Sequence, residues 1–311
     1  MSFTVTPIST LAIPYAGWNA PIYFGGSLIA SMADNNTYTT DIFATSDDGL
    51  VWSQQTLPGY GKWSRPAVGG GVAVMVNKAG ITTTGGLRST DGLNWSFVTL
   101  PQSANWATVA YGEGLFVALR NSSTVAATSS DGISWNQRTL PISTFHLVAV
   151  YFAGRFLDFY SETYLTSTDG INWEQKTLKT GLTELVFTAV VCGPYLIVVP
   201  RNKDYFLRST DGLIWEALSL PRTGWWTGGA YGDGTILIVD SGITVSTALA
   251  SDDYGATWYD VVIPSIAFLS ALSYSEYLQA FSTLSLWTSD GLFIQKLRPF
   301  WTNSRGQREV L

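Results

Sequence analysis

Ser129-Ser130-Asp131-Gly132-Ile133-Ser134-Trp135 is one of seven segments in the chain built to the pattern S-x-D-G-x-x-W. The others run from Ser46 to Trp52, Ser89 to Trp95, Ser167 to Trp173, Ser209 to Trp215, Ser251 to Trp258 with one residue inserted, and Thr288 to Ile294 in degenerate form. Their aspartates, Asp48, Asp91, Asp131, Asp169, Asp211, Asp253 and Asp290, are spaced by 43, 40, 38, 42, 42 and 37 residues. Self-similarity at a period of about 40 residues means a repeat architecture, in which neighbouring units bury the surface that one unit alone leaves open.

Each period reads as four short strands. In the third, Thr108 to Tyr111 and Leu115 to Leu119 flank a Gly112-Glu113-Gly114 turn, Val125 to Thr128 follows, and Ile133 to Leu140 comes after the repeated segment. The segment therefore falls at the turn between strands three and four. Its residues suit a turn: Asp and Ser side chains satisfy local backbone N–H groups, Gly supplies a positive φ, and the Trp folds back over the core. The seven aspartates are read as structural, not as catalytic acids. Four-stranded units at this period predict an all-β, seven-bladed β-propeller of antiparallel blades, forming one domain over residues 1–311. Within it, residues 1–17 are a closing strand and lead-in, 18–297 the seven repeats, and 298–311 a C-terminal tail. Leu11-Ala12-Ile13-Pro14 matches the Leu-Pro that ends the fourth strand at Leu57-Pro58, Leu100-Pro101, Leu140-Pro141 and Leu220-Pro221, so Phe3 to Ile13 is expected to lie against the last blade and close the ring.

Charged residues make up 13% of the 311, against about 25% in typical soluble proteins, so the surface is largely neutral and polar. A net charge of -6 without any Lys/Arg run argues against nucleic acid and against docking on an anionic membrane. No apolar stretch is long enough to span a bilayer, and Met1 to Pro7 lacks the basic start and apolar run of a secretory signal. One histidine, His146, and one cysteine, Cys192, argue against an imidazole-based triad and a Cys/His metal cluster. Cys192, in Val190-Val191-Cys192-Gly193, reads as a buried structural thiol. No metal and no cofactor are expected.

The repeat resembles the Asp-box, or bacterial neuraminidase repeat, family over about Trp18 to Leu297. That family includes sialidases, other glycoside hydrolases, photosystem assembly factors, sorting receptors and phage tail proteins, so the resemblance implies a fold and not one activity. In its sialidases three arginines hold the substrate carboxylate, one from an Arg-Ile-Pro motif. The counterpart here is Ala12-Ile13-Pro14, which removes that bidentate partner. Asp158 and Glu162, on a loop expected between the second and third strands of the fourth blade, are the best local candidates for the paired carboxyl groups of another glycosidase. Solvated loop carboxylates are the simpler reading, and no catalytic residue is assigned.

A second repeated position lies just before each inner strand. It holds Trp63, Trp106, His146 and Trp226, with Trp18 one residue off register, and Val186 and Leu269 in the fifth and seventh blades. Inner strands line the central channel and begin on the face away from the repeated turns. These aromatics, with Trp225, Arg65 and Asn105 beside them, are thus expected as an exposed crown that binds ligand, since aromatic faces stack on sugar rings. Structural packing between blades is the competing reading of the same Trp residues.

Low charge, Ser/Thr-rich strands and aromatic loops are in the style of tailed-phage virion proteins, made in the host cytoplasm without a signal peptide. The expected function is a non-enzymatic binding or structural propeller, associated with tail or fibre and contacting host-surface glycan and other virion or assembly proteins. A capsid or tail decoration protein, and a glycoside hydrolase of sialidase-like fold, are the alternatives.

Overall fold

The computed structural model describes residues 2–7, 19–31, 40–48, 51–78, 85–241, 247–262, 269–275, 280–285, 294–302 and 308–310. Every regular element among them is a β-strand. The strands pair antiparallel into six sheets of four and one of five. The third sheet shows the common plan: Trp106–Gly112, Leu115–Arg120, Ser123–Ser129 and Asn136–Thr144 lie side by side in chain order.

Burial changes from strand to strand in a way that follows composition. Second strands are largely buried, and Val72–Val76 is an unbroken apolar run buried along its whole length because other sheets cover both faces. Fourth strands are at the rim, and Glu174–Thr177 is exposed throughout. First strands face a common axis and carry small residues there, among them Thr108, Ala149, Thr188 and Gly228. The inner strand Leu269–Ser275 lies beside both Trp226–Gly232 of the sixth sheet and Ile22–Phe24 of the first, so the arrangement returns on itself.

The apolar core is divided among the seams between successive sheets. Between the second and third sheets, Val74, Val76, Val98 and Leu100 meet Trp106, Val109, Phe116 and Ala127. Between the fifth and sixth, Ile197, Val199, Phe206 and Leu220 meet Trp226, Ile236, Ile238 and Leu249. The leucine of each Leu-Pro pair belongs to these seams, as Leu57, Leu100, Leu140 and Leu220 show.

The repeated turns use the bonding their residues suggest. In Ser129–Trp135, Asp131 Oδ1 accepts from the N–H groups of Ile133 (2.8 Å) and Ser134 (2.8 Å), while Ser129 Oγ donates to Asp131 and accepts from the Gly132 N–H. Gly132 has φ +72°, and a Cβ there would meet Val74 of the preceding sheet, so glycine is needed for both conformation and space. The Trp135 indole N–H donates to the Gly132 carbonyl at 3.2 Å. The same bonds to aspartate recur at Asp91, Asp169, Asp211 and Asp253, and Asp48 accepts from Val51 N–H. Each carboxylate gains donors when ionised: the Ser134 N–H at Asp131, the Asn172 N–H at Asp169 and the Ile214 N–H at Asp211 each hold the acid below its ordinary pKa.

The seventh sheet departs from the expected plan. Its strands Leu269–Ser275, Ala280–Ser285 and Ile294–Thr302 pair in that order, and the N-terminal strand Ser2–Pro7 takes the fourth place. The registers are Ser2↔Phe300 and Pro7↔Gln295; the rest of the expected closing segment, residues 8–13, lies outside the described residues. Asp290 lies outside the described residues, but its segment connects the second and third strands of this sheet, not the third and fourth. Nor is 298–311 separable as a tail. Residues 298–302 continue a strand paired with both Ser2–Pro7 and Arg308–Val310.

Candidate functional site

The expected aromatic crown does not form. Trp63, Trp106 and Trp226 are each 0% exposed and sit in the seams. A β-bulge follows two of them: register shifts between Trp106 and Thr108, and again between Trp226 and Gly228. One extra residue reverses which face of a strand a side chain presents, so these indoles are turned into the neighbouring sheet. Their polar atoms find partners in the walls: Trp106 N–H donates to the Gln102 carbonyl (3.2 Å) and Trp226 N–H to the Lys203 carbonyl (2.9 Å). Gly61 and Gly224, two residues before Trp63 and Trp226, leave room for the rings, since a Cβ at either would lie 2.6 Å from the indole.

In the fourth sheet the wedge position holds His146. It is buried, and its Nδ1 lies 2.6 Å from Oδ2 of Asp158, which is buried too. Asp158 alternates with Leu157 and Phe159 along Arg155–Phe159, so it shares with Phe156 the face toward the third sheet. Among the described residues, His146 Nε2 and Asp158 Oδ1 have no hydrogen-bond partner. Burial pushes the Asp158 carboxyl up, opposed by its bond to His146. The candidate glycosidase pair is thereby dissolved: Asp158 is in a strand and sealed from solvent, while Glu162 accepts from the Gly181 N–H at 3.0 Å.

Trp225 is the exposed member of the expected crown at 39%, and the Arg201 guanidinium stacks on it, 3.4 Å from the ring centroid. Arg201 also faces Phe187 at 5.3 Å. Asn105 is exposed, with its carbonyl accepting from Asn121 N–H, but it is not on the channel wall. Trp18 lies outside the described residues.

What the axis does contain is a cavity of about 680 Å³, walled by six sheets and their entry segments. Asn19, Arg65, Lys78, Thr108, Thr188 and Thr227 supply its polar groups. Arg65 and Lys78 are its charged residues among the described lining, and both are cations. Arg65 is presented by a braced segment. Trp63 is anchored in the seam below it, Ser64 Oγ accepts from Val76 N–H (3.0 Å) and donates to the Arg65 carbonyl (3.0 Å), and Pro66 restricts Arg65 to extended backbone. Surrounding protein lowers the Arg65 pKa, yet the side chain is open to channel water, which offsets that desolvation, and a guanidinium stays charged. Lys78 and the three threonines were missed by sequence reasoning. Their common signal is position: the threonines lie on inner strands, and Lys78 begins the connection after a second strand, on the face away from the repeated turns.

Cys192 is buried in the seam between the fifth and sixth sheets, and burial pushes its thiol up to about 12. Among the described residues no cluster of three or more His, Cys, Asp or Glu side chains is placed to hold a metal ion.

No protein-family model matches the sequence, and no curated protein matches it. Solved structures do match in fold. Streptogramin B lyase is 11% identical with a TM-score of 0.78, covering 96% of this chain and 98% of that one. YCF48 bound to D1 peptide is 15% identical with a TM-score of 0.68, covering 95% of each chain. The Pan2 WD40 domain of Neurospora crassa is 5% identical with a TM-score of 0.68, covering 94% of this chain and 95% of that one. The chain therefore has a β-propeller fold. The expectation that it is not an enzyme is withdrawn, because the fold extends over nearly the whole length of a lyase. At this identity the likeness shows the fold alone, and no residue role is carried across.

Proposed function

We propose that the chain is a single-domain, seven-bladed propeller of Asp-box type whose channel mouth binds a ligand, and that it serves as a tail- or fibre-associated virion component contacting host-surface glycan. The observation that carries the binding reading is the cavity of about 680 Å³ on the axis, within the size range of small-molecule sites and lined by hydroxyls and cations on a rigid ring of strands. The virion setting rests on composition: 13% charged residues, Ser/Thr-rich strands and no Lys/Arg run. Turnover of the bound ligand is a second reading, favoured by the likeness to streptogramin B lyase.

The test uses Thr108→Trp, which fills the channel from an inner strand. Binding of the purified chain to a panel of host-surface glycans is expected to be lost at little change in melting temperature. Undiminished binding by the folded variant would remove the channel from the function. Mass spectrometry of recovered ligand separates binding from turnover.

A further inference from the structure

Resting on the binding reading above, we infer that the channel ligand carries an oxyanion, and that Arg65 receives it. The chain as a whole carries a charge of -6, so a random sample of its surface would be acidic. The described channel wall has the opposite sign: two cations and no acid. The one wall strand whose side chains are not described, Leu269–Ser275, contains no charged residue in its sequence either.

Two other cations of the same face are neutralised by acids. Lys203 pairs with Glu184 at 2.8 Å, and Arg222 pairs with Asp240 and Asp260. Among the described residues no carboxylate pairs with Arg65, although its backbone is held on both sides. A guanidinium carried by a braced backbone on a concave wall focuses potential into the channel and offers two parallel N–H donors to a carboxylate or phosphate. Arg201, stacked between Phe187 of the wall and Trp225 at the rim, adds a third positive charge to the approach. Thr108, Thr188 and Thr227 around the axis serve neutral oxygens of the same ligand.

The experiment is calorimetric titration of the full chain at low salt with pyrophosphate, citrate and the neutral disaccharide trehalose, repeated with Arg65→Gln, Arg65→Lys and, as a control, Lys176→Gln at the outer rim. One or both anions are expected to bind and trehalose not to; preference between them identifies phosphate or carboxylate as the group recognised. Arg65→Gln should weaken anion binding about tenfold to a hundredfold, the scale of losing a charge-assisted partner. Arg65→Lys should fall between, Lys176→Gln should match the unaltered chain, and added salt should weaken binding. Anion affinity unchanged in Arg65→Gln, or trehalose binding as well as the anions, would overturn the inference. So would failure of both anions to bind. If both fail while the unaltered chain still binds a host glycan, the ligand class alone is wrong; if the glycan panel is blank as well, the binding reading falls with it.

Discussion

Two seams place different chemistry at the same repeat position. Between the fifth and sixth sheets, Trp226 fills the gap with an indole whose single polar atom is satisfied by a backbone carbonyl at 2.9 Å. Between the third and fourth, His146 and Asp158 bring four polar side-chain atoms into the same kind of space and join two of them, at 2.6 Å. The Trp226 wedge stabilises by burial and leaves no polar side-chain atom of its own unpaired. A polar pair is held by one strong bond, and breaking it strands whichever partner remains. Seams of the first kind should give the ring its stability, and the second should be sensitive to the loss of one partner.

The largest effect is expected from Trp226→Ala, which empties a fully buried site: about 3 to 5 kcal/mol of stability, read by chemical denaturation. Trp135→Ala should cost less, about 2 kcal/mol, because that indole is only partly buried against its seam. The polar seam can be sharpened by a double-mutant cycle. Asp158→Leu alone should cost about 3 kcal/mol, and His146→Phe with Asp158→Leu should cost clearly less than that single change, since apolar replacement of a whole buried pair is often neutral. If the two changes simply add, the pair is not an energetic unit.

Acid tests a third region, the repeated turns. Asp131, Asp169 and Asp211 have pKa values below those of the unfolded chain, so the stability they contribute is present above about pH 4 and is lost as pH falls below it toward the folded values. Melting temperature should decline steadily below about pH 4, and Asp131→Asn should reduce the slope. A slope unchanged by that substitution would mean the turn bonds are not the acid-sensitive feature. The smallest effect is expected at Cys192: in the folded chain, thiol-reactive reagents at pH 8 should modify it only at the rate of opening, because both burial and its raised pKa suppress the thiolate.

Much of this organisation was legible in the sequence because it rests on local chemistry. Asp131, Gly132 and Trp135 bond within seven residues, and among the described residues the segments at Asp91, Asp131, Asp169, Asp211 and Asp253 connect third and fourth strands. The seventh sheet was not legible in this way, since its fourth strand comes from the other end of the chain. The candidate site was misread at Trp63, Trp106 and Trp226 because sequence period fixes the end of a strand but not the face a side chain takes. A single bulge residue at Ala107 decides that. Arg65 was found for its place beside Trp63. Its value turns on what no single repeat reveals: the charges that five other sheets contribute, or withhold, around the same axis.

The central claim is that the aromatic positions hold the sheets together while the channel cations hold the ligand. It is tested most directly by measuring, for Trp106→Ala, both melting temperature and binding to the glycan or anion that the unaltered chain retains, at a temperature where the variant is folded. A large loss of stability is expected, with affinity within about twofold of the unaltered chain, because a residue that does not touch ligand should change binding by about 0.4 kcal/mol or less. An unchanged melting temperature together with lost binding would contradict it, and would return Trp106 to the ligand surface.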